Sequence, residues 1–228
     1  LNDYLLANGH EVTIVAPHLE MSASSHSITL RAPLKIYKHS LNQYSVTGTP
    51  VDTVFAALNT IMNKNPDLII SGINHGPNMG EDVFYSGTVA AAMEGAFKGI
   101  KSIAISSLEF TSENYSAFLP FLNNIISCFK KIQESKIINV NFSSSKPIKG
   151  IKFSHLGKRY YKDELIEYKD ENGEPYYKIE GEGPFWHHDP ESDFYTVHDG
   201  FISITPLLLS LTDQNILSEF QSIRDEPR

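Results

Sequence analysis

The stretch Asp67-Leu68-Ile69-Ile70-Ser71-Gly72-Ile73, running through Asn74-His75-Gly76-Pro77-Asn78-Met79-Gly80 to Ser86-Gly87-Thr88-Val89, decides the fold. Its first seven residues are an almost continuous apolar run after Pro66, the pattern of a parallel strand buried on both faces. A glycine-rich segment follows, and then a helix over 87–98 that Gly99 ends. Ile103-Ala104-Ile105 is a second buried-strand run. Strand, helix, strand at these lengths is a βαβ unit, which implies a mostly parallel sheet with right-handed crossovers.

The pattern continues in both directions. Upstream, Thr49-Pro50-Val51-Asp52 is a helix start, with Thr49 as N-cap, Pro50 in the first turn and Asp52 reaching back. Val51, Val54, Phe55, Leu58, Ile61 and Met62 then recur at helical spacing. Earlier still, Leu1, Tyr4 and Leu5 mark the last turns of a helix closed by Gly9. A strand over 11–17, a serine-rich loop over 22–27 and a hairpin built from 28–30 and 34–37 are expected next. Downstream, Phe118, Leu122, Ile125, Ile126, Phe129 and Ile132 place a long helix over about 114–133, and 137–142 is strand-like. Beyond Lys149 the texture becomes aromatic. Tyr160, Tyr161, Tyr168, Tyr176 and Tyr177 flank a Glu171-Asn172-Gly173-Glu174 turn, which signals a hairpin. A last strand over 201–206 and a closing helix through Ile216, Leu217, Phe220 and Ile223 complete the reading.

Composition sets the bounds. With 228 residues, 41% hydrophobic and 20% charged, the chain has the material for a sizeable core. The single cysteine, Cys128, rules out an internal disulfide framework and a multi-cysteine zinc site and suits a reducing, cytoplasmic compartment. No apolar run approaches the roughly 20 residues of a membrane-spanning helix. A net charge of −8 argues against a nucleic-acid polymer as partner, because holding one takes a basic face.

In open α/β sheets ligands bind beyond the carboxyl ends of strands. That rule selects the loops after Val15, Ile73 and Ile105. At Ser86-Gly87-Thr88 free N–H groups and the helix dipole form an anion cradle, to which Ser86 and Thr88 add hydroxyls. From spacing alone Ser86 reads equally well as an ordinary N-cap, Asn74 as a turn residue and Ser22 as one more loop serine. His26 and His75 read more readily as solvated loop residues than as catalysts. His187-His188 beside Asp189 has the look of a metal pair, but a surface loop is the first reading.

Taken together these segments are specific. Ala16-Pro17-x4-Ser22-x3-His26-Ser27-Ile28-Thr29, Thr47-Gly48-Thr49-Pro50-x-Asp52, the run from Ser71 to Gly95 with Asn74, Gly76, Asn78, Gly80, Ser86, Gly87, Thr88 and Glu94, and Ser102-Ile103-Ala104-Ile105-Ser106 closely resemble the SurE nucleotidases. The resemblance extends to Asn139-Val140-Asn141 and to Gly200-Phe201-Ile202-Ser203-Ile204-Thr205-Pro206. It implies a Rossmann-like three-layer α/β sandwich: a catalytic core over 1–149, and a hairpin appendage with final strand and helix over 150–228 that completes the same domain and carries the oligomer contacts.

The resemblance further implies a metal-dependent phosphomonoesterase acting on nucleoside 5′- and 3′-monophosphates and, as in some members of the family, on short polyphosphate. It implies a homodimer or homotetramer and one divalent ion per subunit. The ion's ligands would be two aspartates of an Asn-Asp-Asp-Gly loop, a serine matching Ser22 and an asparagine matching Asn74. Asn78, Ser86, Gly87 and Thr88 would lie on the phosphate side, with His26 a candidate for positioning or protonating the leaving oxygen. Oxygen ligands of this kind suit Mg²⁺ or Mn²⁺. The sequence departs from the family in one respect: no Asn-Asp-Asp-Gly occurs in it. The expectation is that a first strand and this loop lie ahead of Leu1, and that without them the chain is inactive. The rival expectation is a nucleotide- or phosphate-binding α/β module that does no chemistry.

Overall fold

A computed structural model describes residues 1–21, 24–109, 112–143 and 147–224. In chain order the elements are α1 (Asn2–Ala7), β1 (Ile14–Pro17), β2 (Ile36–Ser40), β3 (Gln43–Val46), α2 (Pro50–Ala56), β4 (Ile69–His75), α3 (Gly87–Phe97), β5 (Ser102–Ser107), α4 (Ser112–Lys131), β6 (Ile137–Phe142), β7 (Ile151–Phe153), β8 (Arg159–Lys169), β9 (Pro175–Trp186), α5 (Asp193–His198), β10 (Ile202–Pro206) and α6 (Gln214–Arg224). A π-helical turn, Ala57–Ile61, extends α2, and a 3-10 turn, Gly80–Phe84, precedes α3.

The strands form three sheets. In the five-stranded sheet the order is β4-β5-β6-β10-β7, with β4, β5 and β6 parallel and β10 antiparallel to β6. β1, β3 and β2 form a second sheet, and β8 with β9 a separate hairpin. The core lies where α4 covers the large sheet. Phe118, Leu122, Ile125, Ile126 and Phe129 come from one face of α4 and meet Ile103, Ile105, Ile138, Val140 and Phe142. The rings of Phe118 and Phe142 stack at 4.3 Å. On the opposite face Val89, Ala92 and Ala96 of α3 pack against Ala104 and Ile137. Ile132 lies past the end of α4 and is exposed.

Two expectations from the sequence are corrected. The expected hairpin over 28–30 and 34–37 is replaced by β2 pairing with β3. Residues 28–30 form no strand, because the amide and hydroxyl of Thr29 are taken by the carboxylate of Asp52 at 3.0 and 2.6 Å. A segment tethered to a helix start in this way has no free donor for a ladder. The second correction concerns β4. β5 and β6 are buried at every residue, but β4 is only half-buried. It has one ladder neighbour, β5, and its other edge borders a cleft of about 1650 Å³. The far wall of that cleft is β1, and α1 and α2 also line it.

Other expectations hold. Thr49 and Asp52 form a reciprocal capping box at α2. Gly9 and Gly99 adopt positive φ of 81° and 79° after α1 and α3, where a left-handed residue ends a helix. In the hairpin turn, the Asp170 carboxylate accepts from the amides of Asn172 and Glu174.

Candidate active site

The site is assembled where β4 and β5 end and α3 begins. The register between these strands shifts between Ser71 and Asn74. Such a bulge re-aims the side chains that follow it. Asn74 thereby meets the first turn of α3: the Thr88 hydroxyl donates to Asn74 Oδ1 at 3.1 Å. The Asn74 amide group in turn donates to the Gly76 carbonyl at 2.9 Å. The amide is thus oriented with its oxygen toward the helix start.

Ser86 is the N-cap of α3, and its hydroxyl oxygen accepts from the Val89 amide at 3.1 Å. A hydroxyl that accepts one bond still has its proton to donate. The capping role and the anion-binding role of Ser86 are therefore compatible. Gly87 and Thr88 follow with backbone N–H groups that have no helical acceptor, at the positive end of an 11-residue helix. A Cβ on Gly87 would lie 2.7 Å from Ser24 Oγ and 2.9 Å from Pro50 Cγ, so glycine is what lets the serine loop and α2 close on this turn.

Asn78 sits under the loop. Its side-chain amide donates to Ser106 Oγ at 2.7 Å, and its backbone N–H donates to Asn141 Oδ1. Its carbonyl accepts from Asn139 and Asn141. These bonds pin the loop to β5 and β6. They also account for Asn139-Val140-Asn141, which the sequence reading noted without giving it a role.

The structure does not bring His26 to this cluster. Its imidazole lies 3.7 Å from the Glu94 carboxylate and tilts against Phe97 at 5.8 Å, two turns down α3 from Ser86. Replacing His26 with Ala should leave phosphate-site chemistry within about twofold, since it removes only a half-exposed pairing of small worth. A turnover assay on a version carrying the Asn-Asp-Asp-Gly loop checks this, and a tenfold or larger drop would support the leaving-group role. Ser22 lies outside the described residues. His187 tilts against Tyr160 and His188 meets Tyr195 edge-on. Among the described residues no group of three or more His, Cys, Asp or Glu is arranged to hold a metal ion.

Two residues that the sequence reading missed belong to the surroundings. Arg159, at the start of β8, lines the cleft and pairs with Asp82 on the 3-10 turn before Ser86. Asp193, at the start of α5, is fully buried, and its carboxylate accepts the Gly80 amide at 2.9 Å. Burial pushes its pKa above the ordinary carboxylate value, and amide donors oppose that shift. No local pattern marks either residue, because their partners are distant in the chain.

A profile of the family described as "Survival protein SurE" matches residues 1–163. The chain belongs to the SurE family. The SurE relative named 5′-nucleotidase in Aquifex aeolicus is 40% identical over 225 residues, covering 95% of this chain and 88% of that protein. The 5′-nucleotidase SurE of Gemmatimonas aurantiaca is 39% identical, covering 95% and 89%. The crystal structure of the SurE protein from Aquifex aeolicus superposes with a TM-score of 0.84 at 38% identity, over 98% of this chain and 94% of that one. The SurE fold is thus a Rossmann-like α/β arrangement with a hairpin and terminal helix, as the sequence led one to expect. No helix among the described residues is long and apolar enough to cross a membrane.

Proposed function

We propose that this chain is a phosphomonoesterase that hydrolyses nucleoside 5′-monophosphates, and 3′-monophosphates with them. The observation that carries this reading is the Thr88–Asn74 hydrogen bond at the N-terminus of α3, beside the cap of Ser86. The phosphate oxygens would take the amides of Gly87 and Thr88 and the hydroxyl of Ser86. These donors are fixed before substrate arrives, and so they stabilise the charge that develops at phosphorus without reorganising. Asn78, on the phosphate side of the loop, holds it in place through Ser106, Asn139 and Asn141. The relatives named 5′-nucleotidase support the assignment of reaction and substrate.

The divalent ion that the family resemblance implies is not accommodated by the described residues alone. Asn74 Oδ1 is a suitable hard ligand, but no carboxylate cluster accompanies it. A single neutral oxygen does not hold Mg²⁺ or Mn²⁺ against water. Asn74 lies on the wall of the cleft. β1 and β4 face each other across it with open ladder edges, the arrangement that accepts one more strand. An added strand that ends in an Asn-Asp-Asp-Gly loop would close the sheet and put two carboxylates beside Asn74. The same reading assigns the protein to the cytoplasm. Oligomer contacts would come from the hairpin, where Leu165 and Tyr177 are exposed, and from the uncovered Leu217 and Phe220 of α6.

The experiment is phosphate release from adenosine 5′-monophosphate with Mn²⁺, for the chain itself and for a version carrying such a strand and loop ahead of Leu1. Release is expected to be faster with the added carboxylates, and Asn74→Ala in that version should weaken Mn²⁺ binding. Equal rates from both proteins would overturn the ligand assignment. Nucleotide binding without release from either would favour the rival reading, a binding module.

A further inference from the structure

We infer that Asp193 is the positioning residue of the phosphate loop, clamping the turn before Ser86 to the foot of the β8–β9 hairpin; this rests on the reading of Ser86, Gly87 and Thr88 as the phosphate cradle. Asp193 and Gly80 are 113 residues apart in sequence. The carboxylate of Asp193 spans two segments. Oδ2 accepts the Gly80 amide at 2.9 Å, and Oδ1 accepts the Gly157 and Phe194 amides, each at 2.9 Å. A carboxylate with no exposed surface costs several kcal/mol to desolvate unless donors meet it. Here three backbone amides do so, and two of them belong to segments that have no other covalent or helical reason to meet.

The junction is built for close approach. Gly80 has φ of +54°, and a Cβ on it would lie 2.5 Å from the Gly157 carbonyl oxygen and 3.3 Å from the Trp186 ring. Trp186, at the other foot of the hairpin, stacks on Phe194 at 4.0 Å. A second tie runs in parallel: the Arg159 guanidinium pairs with Asp82, and the Arg159 amide donates to Glu81 at 3.2 Å. What the clamp holds is the start of α3. The Asp82 carbonyl accepts the amides of Tyr85 and Ser86, so a displaced 3-10 turn displaces the N-cap and the amides that follow it. Asn78 fixes the loop at its beginning, and Asp193 fixes it midway. Ser86 inherits its place from both.

Asp193→Asn keeps the shape but can present an acceptor to only one side of the junction. Amide hydrogen exchange, measured on the unliganded protein, is expected to speed up roughly tenfold at Gly80 and at the hydrogen-bonded amides of Tyr85, Ser86 and Val89, the factor given by one lost hydrogen bond of ordinary strength, while β5 and β6 are unchanged. Inorganic phosphate, followed by the amide resonances of Gly87 and Thr88, should bind about tenfold more weakly for the same reason. Should Asp193→Asn fail to fold, Arg159→Met loosens the second tie and should produce the same local pattern with smaller amplitude. Faster exchange confined to Gly157 and Phe194, with Tyr85, Ser86 and Val89 protected as before, would overturn the clamp. If exchange behaves as expected but phosphate binds neither the parent nor the variant, the clamp stands and the phosphate reading falls.

Discussion

Gly72→Ala is expected to lower stability by about 3–5 kcal/mol, the sum of a strained backbone and an overpacked contact. Gly72 sits at φ of +124°, and a Cβ there would lie 2.3 Å from the Ile105 carbonyl oxygen of β5. That neighbour is backbone in a fully buried strand, so it cannot swing aside as a flexible side chain would. Either β4 and β5 separate or the bulge straightens. Both outcomes turn Asn74 away from Thr88, so the substitution damages the fold and the site together. A melting temperature about 10 °C or more below the parent, measured by calorimetry, is the expected result for a domain of this size. A change of less than 2 °C, a limit set by the same scaling, would show that the β4–β5 junction yields without cost.

The second large effect concerns Asp52, a buried carboxylate that joins three parts of the chain. It accepts from the Thr29 amide and hydroxyl and, at 2.8 Å, from the Thr49 amide. Burial pushes the Asp52 carboxyl upward, but these bonds from Thr29 and Thr49 outweigh it and hold the pKa below its ordinary value of 3.8. Asp52→Ala leaves the donors unmet in a buried place and removes half of a capping box. The expected loss is about 3–4 kcal/mol, since each bond to a charged acceptor contributes roughly 1.5–3 and they are not additive. The sign of the pH dependence follows. The folded-state pKa is depressed, so the contribution is complete above the unfolded value and disappears as pH falls through the folded one. Denaturant midpoints of parent and Asp52→Ala should therefore converge below about pH 4. A gap that stays constant down to pH 2 would show that Asp52 acts by packing and not by charge.

The large elements could be read because their causes are local. The Thr49-Pro50-x-Asp52 cap, the helical repeat of Phe118 to Phe129 and the apolar runs of β5 and β6 each satisfy their backbone within a few residues or bury one continuous face. The expected 28–30 strand failed because Thr29 gives its amide to a side chain 23 positions away. Alternation along the chain contains nothing of that bond. β4 read as buried on both faces because its composition is that of an interior strand, but the structure leaves one of its edges against an open cleft.

The site divides in the same way. The meeting of Asn74 with the helix start at Ser86, Gly87 and Thr88 could be anticipated from sequence, since a strand end followed by a glycine-rich turn and a capped helix brings these groups together by backbone geometry alone. His26 was picked for its chemistry, but its neighbour Glu94 lies farther along α3, and only the path of the serine loop decides which group an imidazole meets. Arg159 and Asp193 could not be picked, because they act on Gly80 and Asp82 from the far end of the chain. The sequence by itself determined the α/β class, the family and the helix start proposed to receive phosphate, all of which depend on hydrogen bonds and periodicities within about one element. Tertiary structure alone decided how that helix start is held: Asn139 and Asn141 lie beneath it, Gly157 and Asp193 beside it. A buried polar group must find its partner wherever folding puts one, and distance along the chain does not record where that is.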